Sequence, residues 1–154
     1  IKVVPTPLTY KKNIFQEMNE GQFVEGGALN SFGEKFDFEG REFKPTMKYN
    51  LLGTTMNYFI ENSILDIPDY VKIDVDGIEH LILQGGDKFL NNEKVKSLSI
   101  EINENFKEQY DKVLNLMEKF NFTIVHKKHN DSLFSEGSRF INTYNYIFLK
   151  KTKI

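Results

Sequence analysis

No cysteine occurs among the 154 residues. That excludes disulfides, thiolate metal sites and a cysteine nucleophile. Tryptophan is absent too, so 14 Phe and 7 Tyr carry the bulky packing. No apolar run approaches the length that crosses a bilayer, and no leader pattern is visible, so the expected setting is the cytoplasm with no membrane partner. Charge of one sign is also missing: 20 Lys and Arg stand against 22 Asp and Glu. Without a basic footprint, nucleic acid is not an expected partner. The nucleophile elbow, the zinc-protease helix, the P-loop and the dinucleotide glycine fingerprint do not occur. No internal repeat or low-complexity linker breaks the chain, and its length fits one domain, or part of one, with a real core. It begins at Ile1 without an initiator Met, which points to a processed, truncated or partly recorded polypeptide.

What is present centres on Tyr70-Val71-Lys72-Ile73-Asp74-Val75-Asp76-Gly77. An apolar, β-branched run ends in two acids and a glycine, then passes at once into Ile78-Glu79-His80-Leu81-Ile82-Leu83. A buried strand delivers charged groups to the carboxyl edge of an α/β sheet in this way and then turns into a helix. Carboxylates resist burial unless paired or liganded, so two of them closing an apolar strand mark a candidate site. The plain alternative is a surface turn.

A second strand, Ser97 to Asn103, alternates strictly, with Leu98, Ile100 and Ile102 on one face and Ser99, Glu101 and Asn103 on the other. Two strands joined by a helix should lie parallel with a right-handed crossover. Lys72 would then neutralise Glu101 or Asp74, and Asp76 and Asn103 would open onto one crevice.

Elsewhere the pattern is uneven. Ile1 to Leu8 reads as a short strand ended by Pro5 and Pro7. Residues 13–50 read as a β-rich insertion or loop, with Phe36-Asp37-Phe38-Glu39 alternating before a Gly40-Arg41 turn and Gly26-Gly27 as a flexible turn. A helix capped by Thr54 or Thr55 carries Met56, Phe59 and Ile60 on one stripe. The helix after Gly77 should stop at Gly85-Gly86 in a left-handed turn. Glu104 to Phe120 is the strongest helix, with Phe106, Tyr110, Val113, Leu114, Met117 and Phe120 on its apolar stripe and Asn121 as left-handed cap. Phe122 to Val125 and Thr143 to Leu149 read as strands, with a turn at Asn130-Asp131 between them. Lys150, Lys151 and Lys153 form a solvated basic end.

Asp74, Asp76 and Glu101 are oxygen ligands of the kind Mg²⁺ or Ca²⁺ prefers, if they converge. Alternatively one holds a cofactor hydroxyl or a backbone amide while another pairs with Lys72. His80, one turn into the helix after Gly77, is a candidate general base, since an unperturbed imidazole titrates at about 6.5. The other reading of His80 is a packed side chain. His126 and His129 make no ligand set with their neighbours and read as surface residues.

The runs Thr54 to Glu61, Pro68 to Gly77, Glu79 and Leu83 with Gly85-Gly86, Ser99 to Asn103 and Tyr144 to Phe148 together resemble the FkbM family of S-adenosylmethionine-dependent methyltransferases. The resemblance spans roughly residues 52–149. It implies an α/β fold, a Rossmann-like class I methyltransferase sheet, mostly parallel, with an antiparallel last strand inserted between the family's fifth and sixth. It implies S-adenosylmethionine as cofactor and methyl transfer to a hydroxyl on a sugar or natural-product-like acceptor. Asp74 would face cofactor and acceptor, Asp76 and Glu101 would line the acceptor side, and Pro7-Leu8 would lie near the adenine. The family's glycine-rich cofactor loop and ribose-binding acid have no counterpart in this sequence. The expectation is therefore a C-terminal portion lacking the first two strands, which binds no measurable S-adenosylmethionine by itself. Two other readings stand beside it: a glycosyltransferase whose Asp74-Val75-Asp76 holds a divalent ion against a diphosphate, and a non-catalytic α/β binding module.

Overall fold

The computed structural model describes residues 1–22, 28–129 and 137–151. Two sheets organise them. The first is a three-stranded antiparallel sheet, β2-β1-β3, made from β1 (Ile14–Glu20), β2 (Ser31–Phe32) and β3 (Met47–Gly53). The second is four-stranded in the order β4-β5-β7-β6, from β4 (Tyr70–Ile73), β5 (Ser97–Asn103), β6 (Phe122–Lys128) and β7 (Thr143–Lys150).

In the second sheet β4 and β5 pair in parallel, and β7 lies antiparallel between β5 and β6. The sheet is therefore mixed rather than mostly parallel: β4, β5 and β6 share a direction, but both ladders made by β7 are antiparallel. Insertion of the last strand converts what would have been a parallel β5–β6 neighbour pair into two antiparallel ones.

Alternation decides which face is buried. Leu98, Ile100 and Ile102 are fully inaccessible, and their cross-strand partners Phe148 and Tyr146 are nearly so. Helix α4 (Lys107–Lys119) covers this face with Val113 and Met117, while α2 (Glu79–Gln84) packs against α4 and adds Leu81, Ile82 and Leu83. The opposite face carries Ser97, Ser99 and Glu101, all partly exposed.

Helix α1 (Met56–Glu61) starts where Thr55 accepts a hydrogen bond from the Tyr58 amide at 3.1 Å, a cap of about 1 kcal/mol. α4 ends with Asn121 at φ 61°, the left-handed conformation that asparagine tolerates. Helix α3 (Asp87–Asn91) follows α2 and buries Phe89 and Leu90.

Some local expectations fail. Ile1 to Leu8 forms no strand; Leu8 makes one isolated parallel bridge to Thr54, because Pro5 and Pro7 leave too few donors for a ladder. Gly85 and Gly86 do not stop α2 by a left-handed turn, since their φ values are −80° and −127°. A side chain at Gly85 would instead run into the Thr9 carbonyl, so close backbone approach accounts for that glycine. The Gly26-Gly27 and Asn130-Asp131 turns lie outside the described residues, as does Lys153. Among the described residues no helix is long and apolar enough to cross a membrane.

Candidate active site

The β4–β5 ladder ends at Ile73 opposite Ile100, so Asp74 and Glu101 lie one position beyond it on the same polar face. The two carboxyl groups are neighbours there, close enough for the Asp74 charge to act on Glu101. Lys72 pairs with Asp74 rather than with Glu101. Burial, then the Asp74 charge, push the Glu101 carboxyl up to about 7, with Lys72 opposing. A half-buried carboxyl that titrates near neutrality can take up and release a proton at physiological pH.

Asp76 turns to a different task. Its Oδ2 accepts from the Leu29 amide at 2.6 Å and the Asn30 amide at 3.2 Å, which holds the segment between β1 and β2 against the end of β4. Burial raises the Asp76 carboxyl, and those two amides pull it back. Asn103 is buried as well; its Nδ2 donates to the Phe38 carbonyl at 3.3 Å and its Oδ1 accepts from the Asn105 amide at 3.0 Å. Asp76 and Asn103 thus grip Leu29, Asn30 and Phe38, whose described neighbours roof the strand ends, and Asn103 does not open onto a crevice. Gly77 explains how the roof comes so close. It sits at φ +100°, and a Cβ there would lie 3.0 Å from the Phe38 Cα and 3.1 Å from the Asp37 carbonyl oxygen. Gly77→Ala is expected to destabilise the domain by ~1–3 kcal/mol, from left-handed strain plus displacement of the roof, as read by urea denaturation.

The roof is fastened at its far side. Arg139, from the β6–β7 connection, pairs with Asp37 at 3.1 Å and with Glu39, and its guanidinium lies 4.9 Å from the Phe38 ring centroid. Phe140 stacks on Phe38 at 4.9 Å. Asn30, Asp37, Phe38, Phe43 and Arg139 line a cavity of about 530 Å³ beside this latch, large enough for a sugar-sized molecule. A second cavity, of about 500 Å³, lies at the other end of β5 near Lys96 and Leu149, away from the carboxyl pair.

His80 is 1% exposed. Its ring stacks on Phe36 at 6.4 Å and meets Phe106 edge-on at 6.0 Å, and its Nδ1 has no hydrogen-bond partner. Burial, then the charge of Lys112, lower it to about 4, so it is neutral at pH 7. Pro7 and Leu8 are laid along the end of β3: the Thr54 amide donates to Pro7 at 3.0 Å, and the Thr9 amide donates to Thr54 at 2.7 Å. His126 is exposed, and His129 packs on Tyr144.

Among the described residues no three acids or histidines gather in a way that could hold a metal ion. Asp74 and Asp76 are engaged separately, by Lys72 and by the Leu29 and Asn30 amides. The described residues also form no cradle for a nucleoside cofactor. Gly77, Gly85 and Gly86 each face the protein's own backbone or side chains rather than a space a cofactor would fill.

One connected set of groups was not singled out in the sequence. Glu79 is 1% exposed and Gln109 is 2% exposed. The Val75 amide donates to Glu79 at 3.2 Å, Gln109 Nε2 donates to the other Glu79 oxygen, and the Asn103 amide donates to Gln109 Oε1 at 3.0 Å. Burial pushes the Glu79 carboxyl up to about 8, against the pull of those donors. Gln109 carried a readable signal: it lies three residues after Phe106 and four before Val113, on the buried stripe of α4.

The parallel β4–β5 pair, the helices on its buried face and the segment over its strand ends make this a mixed α/β domain. Residues 25–124 match the model of the methyltransferase FkbM domain, and the chain belongs to that family of methyltransferases. The match begins after β1, takes in β2, β3, β4, β5 and α4, and ends within β6. No curated protein and no solved structure matches the chain.

Proposed function

We propose that this domain transfers a methyl group from S-adenosylmethionine to a hydroxyl of a small-molecule or glycan acceptor, with Glu101 receiving the hydroxyl proton. The observation that supports this is the half-buried Glu101 beside Asp74, where burial and then the Asp74 charge push a carboxyl up to about 7 at the strand ends of a methyltransferase-family domain. S-adenosylmethionine, when bound, supplies an electrophilic methyl group. The described residues contribute beside it. Their part is on the acceptor side. The cavity beside Phe38 is lined by the Phe43 ring, an apolar surface for a sugar ring, while Asn30 and Asp37 offer polar partners. The roof keeps bulk water from the acceptor, and Glu101 stabilises the departing proton. His80, sealed between Phe36 and Phe106, serves the packing of the same edge.

Thermal shift on the full-length protein tests the donor. S-adenosylhomocysteine is expected to raise the melting temperature, whereas a UDP-sugar with Mn²⁺ is expected to leave it unchanged. The opposite pattern would transfer the assignment to a glycosyltransferase, and no shift with either ligand would favour a binding module.

A further inference from the structure

We infer that Glu79 and Gln109 are positioning residues, a buried carboxyl–amide pair that fixes how closely the carboxyl ends of β4 and β5 approach and so holds Asp74 against Glu101. The backbone ladder between the strands stops at Ile73 and Ile100. Beyond it the connection runs through side chains: Val75 N–H to Glu79, Glu79 to Gln109, and Gln109 to Asn103 N–H. Val75 follows Asp74 directly and Asn103 is two residues past Glu101, so the pair spans the interval at which the two carboxyl groups meet.

The polarity of the chain of bonds is fixed. The Asn103 amide is a donor and takes up the Gln109 oxygen, which turns the Gln109 nitrogen toward Glu79. The Val75 amide, also a donor, takes the other Glu79 oxygen. Position 79 must therefore accept at both ends. A carboxyl oxygen, charged or protonated, keeps a lone pair; an amide nitrogen has none. A buried acid with no listening cation is costly, and packing alone would be met by an apolar residue there. What an apolar residue cannot supply is the link between the strand ends.

The inference rests on the proposed function only for the importance of Glu101; its test reads a proton equilibrium and needs neither donor nor acceptor. The charged groups acting on Glu101 are Asp74, Lys72 and Asp76, and Glu79 feels its charge from the adjoining helix. In the full chain, the Glu101 carboxyl is followed by carbon-13 NMR against pH. Glu79→Gln, which sets donor against donor, and Gln109→Leu are each expected to bring its midpoint down by a unit or more. Glu79→Gln combined with Gln109→Glu restores every donor–acceptor match and is expected to return the midpoint to the wild-type value. Val113→Ala, a cavity on the same helix, is expected to leave it unmoved. Unmoved midpoints in both single variants, a failed rescue by the swap, or an equal shift in Val113→Ala would each overturn the positioning role. Should Gln109→Leu not fold, Glu79→Gln and the swap decide. Loss of the methyltransferase reading would leave all of these titrations as stated.

Discussion

Glu101→Gln in the full-length enzyme is expected to lower kcat by about 10²–10⁴-fold, the span a positioned general base contributes. Glutamine keeps the size and polarity of the side chain and removes only its ability to take a proton. Acceptor affinity should therefore change little, and the loss should fall on kcat. The pH profile adds a second signature. Glu101 must be ionised to act, and its carboxyl is pushed up to about 7. Wild-type kcat should rise with pH through about 7, and the residual rate of Glu101→Gln should be flat there. Asp74→Ala acts on the same group by another route. It removes the charge that lifts Glu101 and frees Lys72 to pair with it, so the acid limb moves to lower pH while the base weakens. Turnover should fall steeply with the circular dichroism spectrum unchanged. A full rate in either variant would remove that residue from the chemistry.

The difference between Glu101 and Asp76 shows what the sequence made legible and what it did not. The helix between Tyr70 to Asp76 and Ser97 to Asn103 pointed to their parallel pairing. Alternation over both stretches determined the faces, because a period of two leaves one register once one face is buried. The apolar stripe from Phe106 to Phe120 located α4 for the same reason. Asp76 looked equivalent to Asp74. What separates them is the Leu29–Asn30 backbone, 46 and 47 residues away in the chain, whose amides take Asp76 as their acceptor. No local pattern announces a partner at that distance.

The roof was obscure for a related reason. Its Phe side chains are spaced irregularly because they pack on different neighbours: Phe32 against Gly53, Phe36 on His80 and Phe106, Phe38 on Phe140 and Arg139. Only Gly77 carried a hint. A glycine directly after a strand-ending acid was read as a turn, yet it also clears space for the Asp37–Phe38 backbone. His80 misled in the opposite direction. A histidine one turn into a helix at a sheet edge has the right chemistry for a base, but the aromatic rings that enclose it come from Phe36 and Phe106, on two other elements.

Stability should fall as pH rises from about 4.5 to 8, and Glu79 should be the main cause. Burial pushes its carboxyl up to about 8 in the folded chain against an ordinary 4.5, so the unfolded chain releases the proton first. A raised value of this kind gives stability that is complete below 4.5 and is lost as pH climbs through 8. Glu101, raised to about 7, works in the same direction. His80 works against them at the acid end. Lowered from 6.5 to about 4, it favours the fold above 6.5 and loses that contribution as pH falls toward 4. Between pH 4.5 and 6.5 the His80 slope offsets only one of the two carboxyl slopes, leaving a net fall of ~1.4 kcal/mol per pH unit. Above 6.5 only the carboxyl slope remains, at ~1.4 kcal/mol per pH unit for each group in its window. Over the interval to pH 8 Glu79 alone should cost ~2 kcal/mol. Urea denaturation from pH 5 to 9 reads this directly. Glu79→Gln should begin lower, because its amide faces a donor, and then lose less across the alkaline range. An alkaline limb equally steep in Glu79→Gln would mean that the proton is held elsewhere and that Glu79 is ionised in the fold.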